Sequence, residues 1–200
     1  MKKETILENS FYKDIGNVAY ILYIITKNKE IDGWKSVSIA SITFSVEYLK
    51  NYMTTLEMWE NKYRKFNYNF NVNINKRIDV IKYLNCQFAL NLSNNELNIV
   101  SLALKERNDI IHNNSKNINS ISNTNEITLD DEIYNNSLSH PTIDWCYDNY
   151  EILFNIITKI INGSNVGIRK LLNPKDEFDL ELYEMLKPFS IGQLSQTTLK

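Results

Sequence analysis

The chain has little with which to hold a metal. It contains two histidines and two cysteines, and His112, His140, Cys86 and Cys146 stand in none of the spacings that zinc sites use. The same separation excludes a C-x-x-C redox pair. Both cysteines fall in apolar stretches and read as reduced, buried thiols. Glycine is equally scarce: five residues build no phosphate-cradling loop, and no serine or cysteine stands in a nucleophile signature. Neither sign of charge dominates, since 22 Lys and Arg face 24 Asp and Glu for a net −2. That excludes a chain-wide basic glove for nucleic acid and a polybasic membrane binder, while leaving room for a local patch. Long apolar runs are missing too. "VAYILYII", the longest, is far too short to span a bilayer, and "MKKETILENSFYK" lacks the apolar centre of a secretory signal. These absences predict no cofactor, no metal, no membrane partner and a cytoplasmic location.

What is present is helix. Hydrophobic residues make up 43% of the 200 and charged ones 23%, enough for one globular core. Leu7, Phe11, Val18, Leu22 and Ile25 recur at helical spacing in a first helix over 9–27. The next segment is ambiguous where Val37, Ile39, Ile42, Phe44, Val46 and Tyr48 mix strand and helix rhythms. Ile39, Ile42, Val46, Leu49, Met53 and Leu56 hold the helical one for longer, and that decides it. "KFNYNFNVNIN" alternates strictly and predicts an extended edge segment. Helix returns with Ile78, Ile81, Leu84 (or Cys86) and Phe88 inward. Ser93 and Glu96 form a capping box for a further helix that ends at the asparagines after His112. Pro141 opens a helix with Ile143, Tyr147, Tyr150, Phe154, Ile157 and Ile161 on one stripe, ended by Gly163. A shorter helix lies in "PKDEFDLELYEMLK". The prediction is an all-α bundle of five or six helices in one domain over 1–187. A flexible polar loop over 113–141 precedes the penultimate long helix, and a disordered tail covers 188–200.

One helix carries residues that a core does not want. On a wheel at about 100° per residue with Leu97 at zero, Val100, Leu104, Ile111, Ile99, Ala103 and Ile110 share one arc. Ser101, Asn98, Lys105, Asp109 and Glu106 share the opposite, solvated arc. Arg107 falls at about 280°, inside the apolar arc, and Asn108 at about 20° beside Leu97 and Leu104. A guanidinium keeps its proton, so burying it calls for a carboxylate, a wet cleft or an anionic ligand. The plain reading is a helix-end Arg that snorkels and a His that answers the helix dipole.

Arg107-Asn108-x-x-x-His112, closing an apolar helix in an all-α chain, resembles the signature of the HEPN (higher eukaryotes and prokaryotes nucleotide-binding) superfamily. The resemblance is strongest over 76–114 and extends as a helical layout over 9–162. It implies a homodimer in which the motifs of two chains face one cleft. It also implies a metal-independent endoribonuclease with RNA as substrate, serving as a toxin or phage-defence effector, with an antitoxin or regulatory protein as a further partner. Arg107, Asn108 and His112 would then be the catalytic residues. The chain departs from one branch of the family at Asn114, where some toxin members carry tyrosine, so modification at that position does not carry over. The competing class is a catalytically inactive HEPN-like module that binds RNA, nucleotide or a partner protein.

Two further features belong beside the motif. Residues 61–77 hold Lys62, Arg64, Lys65, Lys76 and Arg77 without an acidic residue, interleaved with Tyr63, Phe66, Tyr68 and Phe70. Cations among aromatic platforms suit single-stranded RNA, and the plainer reading is a solvated loop whose aromatics pack inward. Glu47 interrupts an apolar helix face and is placed to pair with Arg107. His140, before Pro141, reads as a cap-region residue.

Overall fold

In the computed structural model of the chain, residues 2–29, 33–66, 68, 77–111, 141–173 and 175–189 are described. They form α1 (Lys2–Lys27), α2 (Trp34–Tyr63), α3 (Arg77–Gln87), α4 (Asn94–Ile111), α5 (Pro141–Leu171) and α6 (Glu177–Leu186), with a closing 3-10 turn at Lys187–Phe189. No strand occurs among the described residues, and the architecture is an all-α bundle. No described helix is long and apolar enough to cross a membrane. The alternating segment after Phe66 (apart from Tyr68) and the polar stretch 112–140 lie outside the described residues.

α2 is the axis of the bundle, contacted by α1, α4, α5 and α6. Its first half alternates like a strand, but a strand would divide Ile42, Val46 and Leu56 from Leu49 and Met53. As a helix it buries all five, and that gain in apolar burial outweighs the β-branched preference. α1 lies along α2 on a different stripe from the expected one. Ile15, Ala19, Tyr23 and Thr26 are buried while Val18 is exposed. The reason is steric. α1 is apolar most of the way round, and the crossing settles where small residues allow close approach. A Cβ added at Gly16 would lie 2.6 Å from the Tyr48 ring.

α5 is the second long helix. Tyr150, Phe154, Ile157 and Ile161 are buried as expected, and Leu153, Ile156, Ile160 and Ile168 join them. The expectation that Gly163 ends it is corrected, since the helix continues to Leu171. Gly163 and Gly167 serve as recesses for the α3–α4 connection. A Cβ on Gly163 would stand 2.6 Å from Leu90, and one on Gly167 2.3 Å from Phe88. That connection reaches them by turning through left-handed backbone at Ala89 and Asn91, φ 49 and 55.

Cys86 is also corrected. It is exposed, because α3 is short and turns only Val80, Ile81 and Leu84 fully inward. The packed chain runs two residues past the boundary read at 187. Phe189 is fully buried, with its ring 5.4 Å from that of Tyr48 and 5.3 Å from that of Tyr52.

Candidate functional site

α4, which carries Arg107 and Asn108, starts from the predicted box. The Ser93 amide donates to Glu96 at 2.7 Å, and the Glu96 amide donates to the Ser93 hydroxyl at 3.2 Å. Lys159 of α5 reaches across to Glu96 at 3.0 Å and to the Asn91 carbonyl at 3.0 Å. The Ser93 amide, then the Lys159 ammonium, hold the Glu96 carboxyl below its ordinary pKa. From this anchored start, α4 buries Ile99, Val100, Ala103 and Leu104, the central part of the predicted arc. Asn98 and Ser101 are exposed, as the wheel requires.

Arg107 and Asn108 lie on the last turn of α4. Position 107 follows Leu104 by three residues and Ala103 by four, so it continues the register of the buried stripe. Of Arg107 and Asn108 only the backbone is described, and His112 and His140 lie outside the described residues. Glu47 sits on α2 and accepts a hydrogen bond from Lys50 Nζ at 2.9 Å. This pair is partly shielded from solvent, so neither charge is fully hydrated.

No family model, characterised protein or solved structure matches the chain.

Of the basic stretch, residues 61–66, 68 and 77 are described. α2 stops at Arg64, whose backbone is left-handed (φ 50, ψ 37) and whose amide donates to the Glu60 carbonyl at 2.7 Å. The buried Glu60 carboxylate then accepts from the amides of Phe66 at 2.7 Å and Tyr68 at 3.3 Å. These two bonds hold the chain that leaves α2 against the helix's last turn. This fold-back turns Phe66 and Tyr68 inward. Phe66 packs 5.3 Å from Trp59, and Tyr68 stacks on Tyr83 at 3.8 Å.

Two of the five candidate cations are already committed to α6. Lys62 pairs with Glu181 at 3.0 Å, which the Tyr63 hydroxyl also meets, and Lys65 pairs with Asp179. Arg64 is exposed, Arg77 opens α3, and Lys76 lies outside the described residues.

Asp179 was not singled out from the sequence, yet it is buried. Burial works to raise its pKa, but the Asn173 amide, donating at 2.7 Å, and the Lys65 ammonium outweigh burial and hold it below the usual aspartate value. Glu181 is likewise depressed, by the Tyr63 hydroxyl first and then by Lys62.

A second set of residues also escaped the sequence reading. Ser164, Asn165 and Arg169 follow Gly163, where the sequence predicts that the helix stops. With α5 intact they share a helix with Ile160, Ile161 and Ile168, and Ser164 and Asn165 are buried. Composition gave no signal for them. Continuing the helical period past an isolated glycine would have found them.

Proposed function

We propose that this chain is a metal-independent endoribonuclease of the HEPN type, acting in prokaryotic phage defence or in a toxin–antitoxin pair. The observation that carries the reading is the register of α4. Its buried residues Ile99, Val100, Ala103 and Leu104 lead directly to position 107, where a permanently charged side chain needs a counter-charge or an anionic ligand. The all-helical bundle agrees with the fold that the resemblance implies.

The chemistry follows from the residue types. His112 takes the proton from an RNA 2′-hydroxyl, and the freed oxygen attacks the adjacent phosphorus. The 5′-oxygen leaves and receives the proton back from the imidazolium. Products are a 2′,3′-cyclic phosphate and a 5′-hydroxyl. Arg107 offers a planar fork to the phosphoryl oxygens as their charge grows. Asn108, one turn before His112, steadies the ring or holds a phosphate oxygen. Positions 107 and 112 diverge by about 140° on a regular helix, so a second copy of the chain completes the cleft.

One observation favours the competing class, a catalytically silent binding module. Pairing of Lys62 and Lys65 with α6 carboxylates leaves fewer cations for an RNA backbone. Cleavage of labelled RNA in EDTA decides between them. The wild type should cut, His112→Ala should lose about 10²- to 10⁴-fold, and Arg107→Ala should lose about 10²- to 10³-fold, with folding confirmed by thermal melts. Activity that survives both substitutions, or that needs a divalent ion, contradicts the enzyme reading.

A further inference from the structure

α1 has an apolar face that the bundle does not use. On a wheel with Ile21 at zero, the side packed on the bundle is centred at about 160°, where Ile15, Ala19, Tyr23 and Thr26 are buried. The opposite side carries Val18 at about 60°, Ile25 at about 40° and Ile24 at about −60°. Val18, Ile21 and Ile24 are 36%, 54% and 47% exposed, and Ile25 is half-buried. Val18 and Ile25 belong to the stripe that the sequence marks as the inward face of this helix. A helix that is apolar on both sides is ordinarily covered on both. Branched side chains exposed in a row, rather than singly, mark an interaction surface.

The ends of the row say what covers it. Asp14 lies on the same side about two turns before Ile21 and is exposed. Lys27 and Lys29 lie about as far beyond Ile21, and both are exposed. Lys27 shares Glu151 of α5 at 3.1 Å, and the Lys29 ammonium stands 5.3 Å from the centre of the Trp34 ring. Among the described residues Asp14 meets no cation and Lys29 no carboxylate. The row is thus apolar at its centre, negative at one end and positive at the other. An antiparallel copy of itself answers all three parts. With Ile21 on the two-fold axis, Val18 of each copy faces Ile24 of the other, and Asp14 comes level with the lysine end. A parallel pair would oppose like charges at both ends.

We propose that the outer face of α1 is a contact between two copies of this chain, packed antiparallel about Ile21. The contact is isologous, so it closes at two copies and leaves no face of the same kind open. Burial of the branched side chains drives it, and the end charges set its direction. α1 packs on α2 and α5, and the contact lies on a different helix from Arg107 and Asn108. It does not depend on the ribonuclease reading.

Sedimentation of the whole chain should show a dimer that dissociates on dilution. Ile21→Glu sets two carboxylates against each other on the axis and should weaken association by at least about 30-fold. Its helical spectrum should match the wild type, since the position is exposed. A wild type that is monomeric at every concentration, or a dimer indifferent to this substitution, overturns the proposal. Disulfide trapping reads the direction, in a background where the exposed Cys86 is removed by Cys86→Ser. Ile21→Cys should cross-link to its own copy. Val18→Cys and Ile24→Cys should cross-link when mixed and not alone. In an antiparallel pair each lies about 9 Å along the axis from its own copy, too far for a disulfide. Self-linking of each alone, with none between them, means a parallel pair and overturns the arrangement. RNA cleavage in EDTA is a separate readout. Failure of the cross-links leaves the ribonuclease reading untouched, and absence of cleavage leaves this contact untouched.

Discussion

At the scale of single residues, the two glycines of α5 separate propensity from packing. Glycine costs a helix interior about 1 kcal/mol relative to alanine, so replacing either should help unless the new methyl has nowhere to go. At Gly163 the added Cβ meets chiefly Leu90 Cδ2, the far end of a flexible side chain. Gly163→Ala should therefore be neutral or stabilising by up to about 1 kcal/mol. At Gly167 it meets Phe88 Cδ1 at 2.3 Å, Cγ at 2.8 Å and Cβ at 3.1 Å. That ring cannot swing clear without moving its backbone, and Gly167→Ala should destabilise by about 1–3 kcal/mol. Urea unfolding of the two variants checks the contrast, and equal effects would mean the connection does not rest on α5.

Asp179 supplies a pH test at the same scale. Its folded pKa is depressed, as are those of Glu181 and Glu96. The unfolded chain therefore binds more protons as pH falls. The stability these groups contribute is whole above the ordinary carboxylate pKa of about 4 and is lost as pH falls through their folded values. Asp179→Asn keeps the shape and removes the charge. It should cost about 1–3 kcal/mol at pH 7 and flatten the acid limb of stability against pH, measured by urea melts from about pH 7 to about pH 3.

At the scale of elements, capping and clamping fix where helices begin and end. Ser93→Ala removes one half of the box on α4 and should cost about 1 kcal/mol, read by thermal melting. This box was legible because its signal is local: two residues three apart, with no third party. The stripes of α2 and α5 were legible for a similar reason, since a long apolar period has one solution. The stripe of α1 was not. With apolar residues on most of its circumference, the buried side was chosen by the room at Gly16 against Tyr48, which belongs to another element. Gly163 misled because an isolated glycine marks either a stop or a close approach, and only the partner's position decides. The pairing of Lys62 and Lys65 with α6 joins residues more than a hundred positions apart, beyond any local pattern.

At the scale of the whole molecule, the bundle gathers α1, α4, α5 and α6 around α2, and Arg107 and Asn108 lie at the end of α4 away from the Ser93 cap. The Arg107-Asn108-x3-His112 pattern was legible as a spacing in the sequence. The second surface that the proposed cleft calls for was not, because a period of about 100° per residue sets positions five apart at about 140° and offers nothing about what faces them. The ribonuclease proposal stands on the type of chemistry that such a cleft would perform. Analysis of the ends of RNA cut in EDTA tests it most directly. The account predicts fragments ending in 2′,3′-cyclic phosphate and 5′-hydroxyl, formed by the wild type and lost in His112→Ala. Fragments bearing 3′-hydroxyl and 5′-phosphate ends, or no cleavage at all by the folded protein, would contradict it.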